Sequence, residues 1–114
     1  MNGGTAVYST LDVDVRAHPQ RTVVTVAGDL DMDTCPHLSE TLEALTLDGQ
    51  ALALDLRAVT FMDSSALHLL LALRNRARAT GGTLELIGLP HQAQRLLDLT
   101  GTRRLFTLQP CPTL

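Results

Sequence analysis

Leu11, Val13 and Val15 alternate with Asp12 and Asp14, a period of two that predicts a half-buried strand over residues 8–15. His18-Pro19-Gln20 reads as a turn, and the Val- and Thr-rich residues 21–27 predict a second strand that pairs with the first as a hairpin and ends at Gly28. The period then lengthens. Cys35, Leu38, Leu42 and Leu45 recur at helical spacing behind the cap residues Asp33 and Thr34 and the first-turn Pro36, until Asp48-Gly49 stops the run. Residues 51–56 are apolar with hardly any interruption, as in a central strand covered on both faces. A polar loop leads from there to a helix opening at Ser64 or Ser65. It carries Ala66, Leu69, Leu70, Leu73 and Ala77 inward and Arg74, Arg76 and Arg78 toward solvent, and Thr80-Gly81-Gly82 closes it. Residues 84–87 give the next strand. Pro90 opens a third helix with Ala93, Leu96, Leu97 and Thr100, Gly101 ends it, and residues 105–108 add an edge strand.

A hairpin followed by strands alternating with helices predicts an α/β fold. It is a mixed four- or five-stranded sheet, an opening β-hairpin and then βαβ units, with right-handed crossovers and three or four covering helices. With 114 residues there is room for one core, so residues 1–114 form one domain, with 1–7 and 109–114 as loose tails.

Composition narrows the function. Hydrophobic residues at 45% against 18% charged ones suffice for a core, so the chain folds alone. Trp is absent and the only aromatics are Tyr8, Phe61 and Phe106, which provides no stacking platform for single-stranded nucleic acid. A net charge of −3 also argues against phosphate backbones as partners. No apolar run has the length of a signal-peptide core or a membrane span, so the expected location is the cytoplasm. Cys35 and Cys111 are then expected as free thiols, Cys35 within the core.

The richest stretch is Asp55-Leu56-Arg57-Ala58-Val59-Thr60-Phe61-Met62-Asp63-Ser64-Ser65-Ala66-Leu67, which presents hydroxyls at a helix start. Unpaired N–H groups and a partial positive charge there accommodate a phosphate on Ser64 or Ser65. The phosphate would add roughly −1.5 to −2 charge beside Asp63 and so repel an acidic or apolar partner. On local sequence alone, an ordinary Asp-Ser-Ser helix cap explains the same residues.

The whole stretch resembles, without a gap, the Asp-Leu-Ser-x-Val-x-Phe-Met-Asp-Ser-Ser-Gly-Leu signature of the STAS family. Gly28-Asp29-Leu30-Asp31 resembles that family's Gly-Glu-Leu-Asp turn, and Leu97, Thr100-Gly101-Thr102 and Leu105-Phe106 resemble its ending. The resemblance implies an anti-sigma factor antagonist that binds a kinase-type anti-sigma factor when unphosphorylated. That serine kinase would phosphorylate Ser64, and a metal-dependent serine/threonine phosphatase would reset it. It further implies a partner-binding surface of Asp31, Asp63, Ser64, Ser65, Ala66 and His68, with Asp31 near the phosphorylation site and the partner's nucleotide. Ala66 and His68 stand where the family usually has Gly and often a second Gly, adding bulk at the helix start. No cofactor, no metal, no membrane or nucleic-acid partner and no catalysis by the chain itself are expected, and the chain is expected as a monomer or weak dimer.

Other readings are weaker. Asp29, Asp31, Asp33 and Glu40 fall at positions one, three, five and twelve of a calcium loop, but Thr34 occupies the position needing Gly and Pro36 interrupts it. A serine hydrolase would place Ser64 in a Gly-x-Ser-x-Gly elbow, and the flanking residues here are Met62-Asp63 and Ser65-Ala66, with His18, His37, His68 and His91 explained as turn or surface positions. Cys35 with His37 and Asp33 makes only a fragment of a metal site. The remaining alternative is a STAS scaffold, a subunit of a larger assembly or transport system, that works without phosphate.

Overall fold

The computed structural model describes residues 11–109. Strands β1 (Leu11–His18) and β2 (Arg21–Leu30) form the hairpin, and α1 (Cys35–Glu43), β3 (Ala51–Met62), α2 (Ser64–Ala79), β4 (Thr83–Ile87), α3 (His91–Thr100) and β5 (Thr107–Gln109) follow, with a 3-10 turn at Arg103–Leu105. The sheet has five strands in the order β1-β2-β3-β4-β5; β1 is antiparallel to β2, and the rest run parallel. The predicted fold class holds, with five strands and three α-helices among the described residues.

Inward residues of the strands and of all three helices form one cluster: Val24, Val26, Leu52, Leu54, Leu56, Leu84 and Leu86 meet Leu38 and Leu42, Leu70 and Leu73, and Ala93 and Leu97. The sheet therefore carries its helices on one face. This corrects the expectation that β3 is covered by layers on both faces. Ala53 and Asp55 point the other way, and they are buried outside that cluster. Asp55 is covered by Arg57, whose guanidinium grips it at 2.9, 3.1 and 2.6 Å.

Hydrogen bonding from Arg57 holds the Asp55 carboxyl below its ordinary value of 3.8, against the opposing effect of burial. A carboxyl depressed by folding stabilises the fold above its unfolded pKa, and that stabilisation is lost as pH falls through the folded one. Urea denaturation should therefore show Asp55→Asn less stable than wild type at pH 6, with the difference shrinking below about pH 3.8. A gap that stays constant down to pH 2.5 would refute this.

Several boundaries differ from the pattern-based expectation. β1 begins at Leu11, with residues 8–10 outside the described residues, and Val15 is 37% exposed. β2 runs past Gly28 to Leu30, and residues 57–62, expected as a loop, continue β3. The pairing of β2 with β3 shifts register between Thr25 and Ala27 and again between Gly28 and Asp29, each time with one extra residue on β3. Gly28 takes a φ of 114° at this irregular stretch. Each bulge resets which residues face inward, so Arg57-Ala58 and Thr60-Phe61 are exposed in pairs between the buried Leu56, Val59 and Met62. Period-two alternation fails there, and the stretch reads as a loop.

Helix α1 stops at Glu43, earlier than the Asp48-Gly49 stop suggested. The carbonyls at and just past its end explain Arg76, which does not point to solvent: its guanidinium donates to Leu42 O at 2.6 Å and Leu45 O at 2.5 Å, clamping the end of α1 to α2. Gln109 belongs to β5, while the expected tails at 1–7 and 110–114 lie outside the described residues.

Candidate functional site

The parallel strands β2, β3 and β4 end on the same side of the sheet, and each delivers the chain to a helix N-terminus. In open α/β sheets this carboxyl end is where binding sites form. Only Asp63 separates β3 from α2. Its N–H donates to Leu30 O at 3.1 Å, and its carboxylate Oδ1 accepts from the N–H groups of Ser65 at 2.8 Å and Ala66 at 3.3 Å. Asp63 is thus the N-cap of α2, in extended backbone.

Ser64 follows as the first residue of α2 and is exposed. Ser65 is half-buried, and His68 is exposed one turn further along. Ala66 is 1% exposed and packs in the core, so of the expected partner-binding residues it is the one the structure removes from the surface. Its methyl group adds no bulk outside. The Ser65 and Ala66 amides, two of the donors expected to accommodate a phosphate, are already occupied by Asp63. A phosphoryl group on Ser64 would therefore stand in solvent beside a carboxylate.

Replacing the cap tests this local account. Asp63→Ala should cost about 1 kcal/mol of stability by loss of the bonds to Ser65 and Ala66. Chemical denaturation of the two proteins checks it, and an unchanged midpoint would mean the capping bonds contribute nothing.

On the β2 side, Asp31 caps the entry to α1. Its Oδ1 accepts from the N–H of Asp33 at 2.9 Å and of Thr34 at 3.1 Å, and its main-chain carbonyl accepts from Cys35 N–H at 2.9 Å. Thr34, expected as a side-chain cap, instead donates its hydroxyl to Asp29 O at 2.8 Å and is buried. Asp29 accepts from Thr60 Oγ1 at 2.5 Å, tying β2 to the bulged part of β3.

Asp31 and Asp63 act on the same neighbour. Burial pushes the Cys35 thiol up to about 11, and the carboxylates first of Asp63 and then of Asp31 add to the effect. At neutral pH Cys35 is a protonated core thiol with little nucleophilic character.

A groove of about 390 Å³ runs between α1 and α2 and opens beside this site, lined by Met32, Cys35 and Leu42 on one wall and Ser65, Leu69 and Leu73 on the other. Met32 is 72% exposed on the turn between Asp31 and Asp33. Pattern reading passed over it, although an apolar residue set between aspartates in a turn is the available signal. Gln92 was missed as well: its amide accepts from Met62 N–H at 2.9 Å and donates to Met62 O at 2.8 Å, immediately before Asp63. Nothing in the local sequence around Gln92 marks that role.

Residues 13–109, from β1 to β5, match the family described as "Mlab, STAS domain". The chain belongs to the STAS domain family. Among curated relatives, an anti-sigma-B factor antagonist of Bacillus subtilis is 31% identical over 86% of this chain and 90% of its own length. Among solved structures, an anti-sigma factor antagonist from Mycobacterium paratuberculosis superposes with a TM-score of 0.78 at 32% identity, covering 92% of this chain and 88% of the other. The antagonist SpoIIAA shares the fold in its unphosphorylated form, with a TM-score of 0.72 at 15% identity over 88% of each chain. Its phosphorylated form gives 0.70 at 16% identity, over 88% of this chain and 91% of that one. The STAS match includes the whole stretch from β2 through the start of α2, and hence Asp31, Asp63, Ser64, Ser65 and His68. Among the described residues no helix is long and apolar enough to cross a membrane.

Proposed function

We propose that this STAS domain is an anti-sigma factor antagonist. It binds a kinase-type anti-sigma factor through the end of the sheet that carries Asp31, Asp63, Ser64, Ser65 and His68, and phosphorylation of Ser64 by that partner releases it. A metal-dependent serine/threonine phosphatase resets the switch, and the exchange takes place in the cytoplasm. The chain itself contributes no catalytic group, and the nucleotide arrives with the partner.

The observation that carries the reading is the position of Ser64, exposed as the first residue of α2 on a turn capped by Asp63. A kinase needs an accessible hydroxyl at a defined height, and a switch needs a phosphate that the host helix does not absorb. Both conditions are met at this residue. Relatives named as antagonists, at 31% and 32% identity over most of the chain, support the same assignment.

Intact-mass measurement after incubation with ATP and the purified anti-sigma factor tests it. The expected result is one added phosphate on the wild type and none on Ser64→Ala. A partner that binds tightly while leaving the mass of the wild type unchanged overturns the phosphorylation and favours a phosphate-independent scaffold.

A further inference from the structure

We propose that Gln92 is a positioning residue for the phosphoacceptor, its side-chain amide setting the height and register at which β3 hands the chain to Asp63 and Ser64. The proposal rests on the assignment of Ser64 as the phosphorylated residue. It starts from a mismatch in strand length. β4 pairs with β3 from Ala51↔Thr83 to Asp55↔Ile87 and stops there, whereas β3 continues to Met62. On the β4 side the end of β3 therefore has no strand beside it.

At Met62 the missing strand is replaced by a side chain. Gln92, the second residue of α3, accepts from Met62 N–H at 2.9 Å and donates to Met62 O at 2.8 Å. In a parallel ladder these two groups would bond to a carbonyl and an N–H on either side of one residue of the neighbouring strand, and the single planar amide of Gln92 supplies both. Met62 is 1% exposed, so leaving these two main-chain groups unpaired would be costly. On the other side Met62 lies opposite Leu30, and Asp63 N–H donates to Leu30 O at 3.1 Å. The strand end is clamped from both sides directly before the cap residue.

The clamp is anchored. Ala93 and Leu97 of α3 are fully buried, and the Gln94 amide donates to Leu89 O at 2.9 Å, fixing the first turn of α3. The connection from α3 to Ser64 then runs through Met62 and the Asp63 cap, all of it main chain or hydrogen-bonded side chain. Losing the Gln92 bonds frees the last residue of β3 and lets Ser64 move relative to Asp31, the other wall of the partner surface. Group transfer is sensitive to such movement, and a misplacement of about 1 Å can cost up to about a hundredfold in rate.

Two variants of the full chain test the proposal. Gln92→Met keeps the bulk and removes both hydrogen bonds. It should speed amide exchange at residues 62–66 about tenfold while residues 52–56 keep wild-type rates. With the anti-sigma kinase, kcat for phosphorylation should fall about tenfold and KM stay within about twofold, because the contact surface is unchanged. Unaltered exchange at residues 62–66 overturns the proposal. So does an equal rise at every amide, which would signal general destabilisation, or a loss confined to KM.

Gln92→Glu gives a spectroscopic check. Its ionised carboxylate still accepts from Met62 N–H but faces Met62 O without a donor, and protonation restores the donor. The Met62 and Asp63 amide resonances should move toward wild-type positions as pH is lowered through the titration of the new carboxyl, and resonances that ignore that titration count against the proposal. If the wild type takes no phosphate, the functional reading fails by itself, while the exchange and resonance measurements still decide whether Gln92 holds the turn.

Discussion

Ser64→Asp is expected to weaken binding to the anti-sigma factor more than about a hundredfold, whereas Ser64→Ala binds like wild type and cannot be phosphorylated. The reason lies in the first turn of α2. Asp63 already accepts from the Ser65 and Ala66 N–H groups, so a second anion at position 64 does not find those donors free. It stands at the proposed partner surface next to the Asp63 carboxylate and beside the apolar groove that begins at Ser65 and Met32. Burying two like charges under a partner costs several kcal/mol, and about 3 kcal/mol is enough for the stated loss. A carboxylate carries less charge than a phosphate, so the substitution is a lower bound on the natural effect. Ser64→Asp should remain folded, because an acidic residue in the first turn suits the helix dipole. Titration calorimetry against the purified partner reads the result. Binding by Ser64→Asp within threefold of wild type would show that charge at this position does not operate the switch.

Gly82→Ala should be the most damaging single methyl addition at the α2–β4 turn, costing about 3 kcal/mol. A Cβ on Gly82 would lie 2.2 Å from the carbonyl oxygen of Gln50 and 3.3 Å from its C and N atoms. These are main-chain atoms at the entry to β3, and Gln50 O also accepts from Thr83 N–H at 3.3 Å, where β4 begins. Relief requires the starts of two central strands to separate. The neighbouring Gly81 is a useful control: its φ is 81° and a Cβ there would meet nothing within 4 Å, so Gly81→Ala carries only backbone strain of about 1–2 kcal/mol. Urea denaturation of both variants separates the two causes. The account fails if Gly81→Ala proves the more destabilised.

The two glycines look alike in the sequence, and both read as a helix stop. One serves a left-handed φ and the other a close approach between Gly82 and Gln50, a distinction that exists only once the starts of β3 and β4 lie side by side. Arg76 shows the same limit. Spaced evenly with Arg74 and Arg78, it reads as a solvent-facing residue, yet it closes the end of α1 through contacts more than thirty positions away. Gln92 reads as a polar residue in the first turn of α3, and only the folded chain brings it against Met62.

Local pattern suffices for the order of strands and helices, the single core, the helix start at Asp63-Ser64, the inward side of α2 at Ala66 and the STAS resemblance, because each depends on periodicity, capping chemistry or a contiguous motif. The folded chain is needed to see that β3 runs through its bulges to Met62 and that Gln92 and Arg76 close the ends of distant elements. The same holds for the carboxylates of Asp63 and Asp31, which both act to raise the pKa of the Cys35 thiol. Those features arise from register, crossover direction and the contact of distant segments, and no stretch of a single strand or helix encodes them in its own pattern.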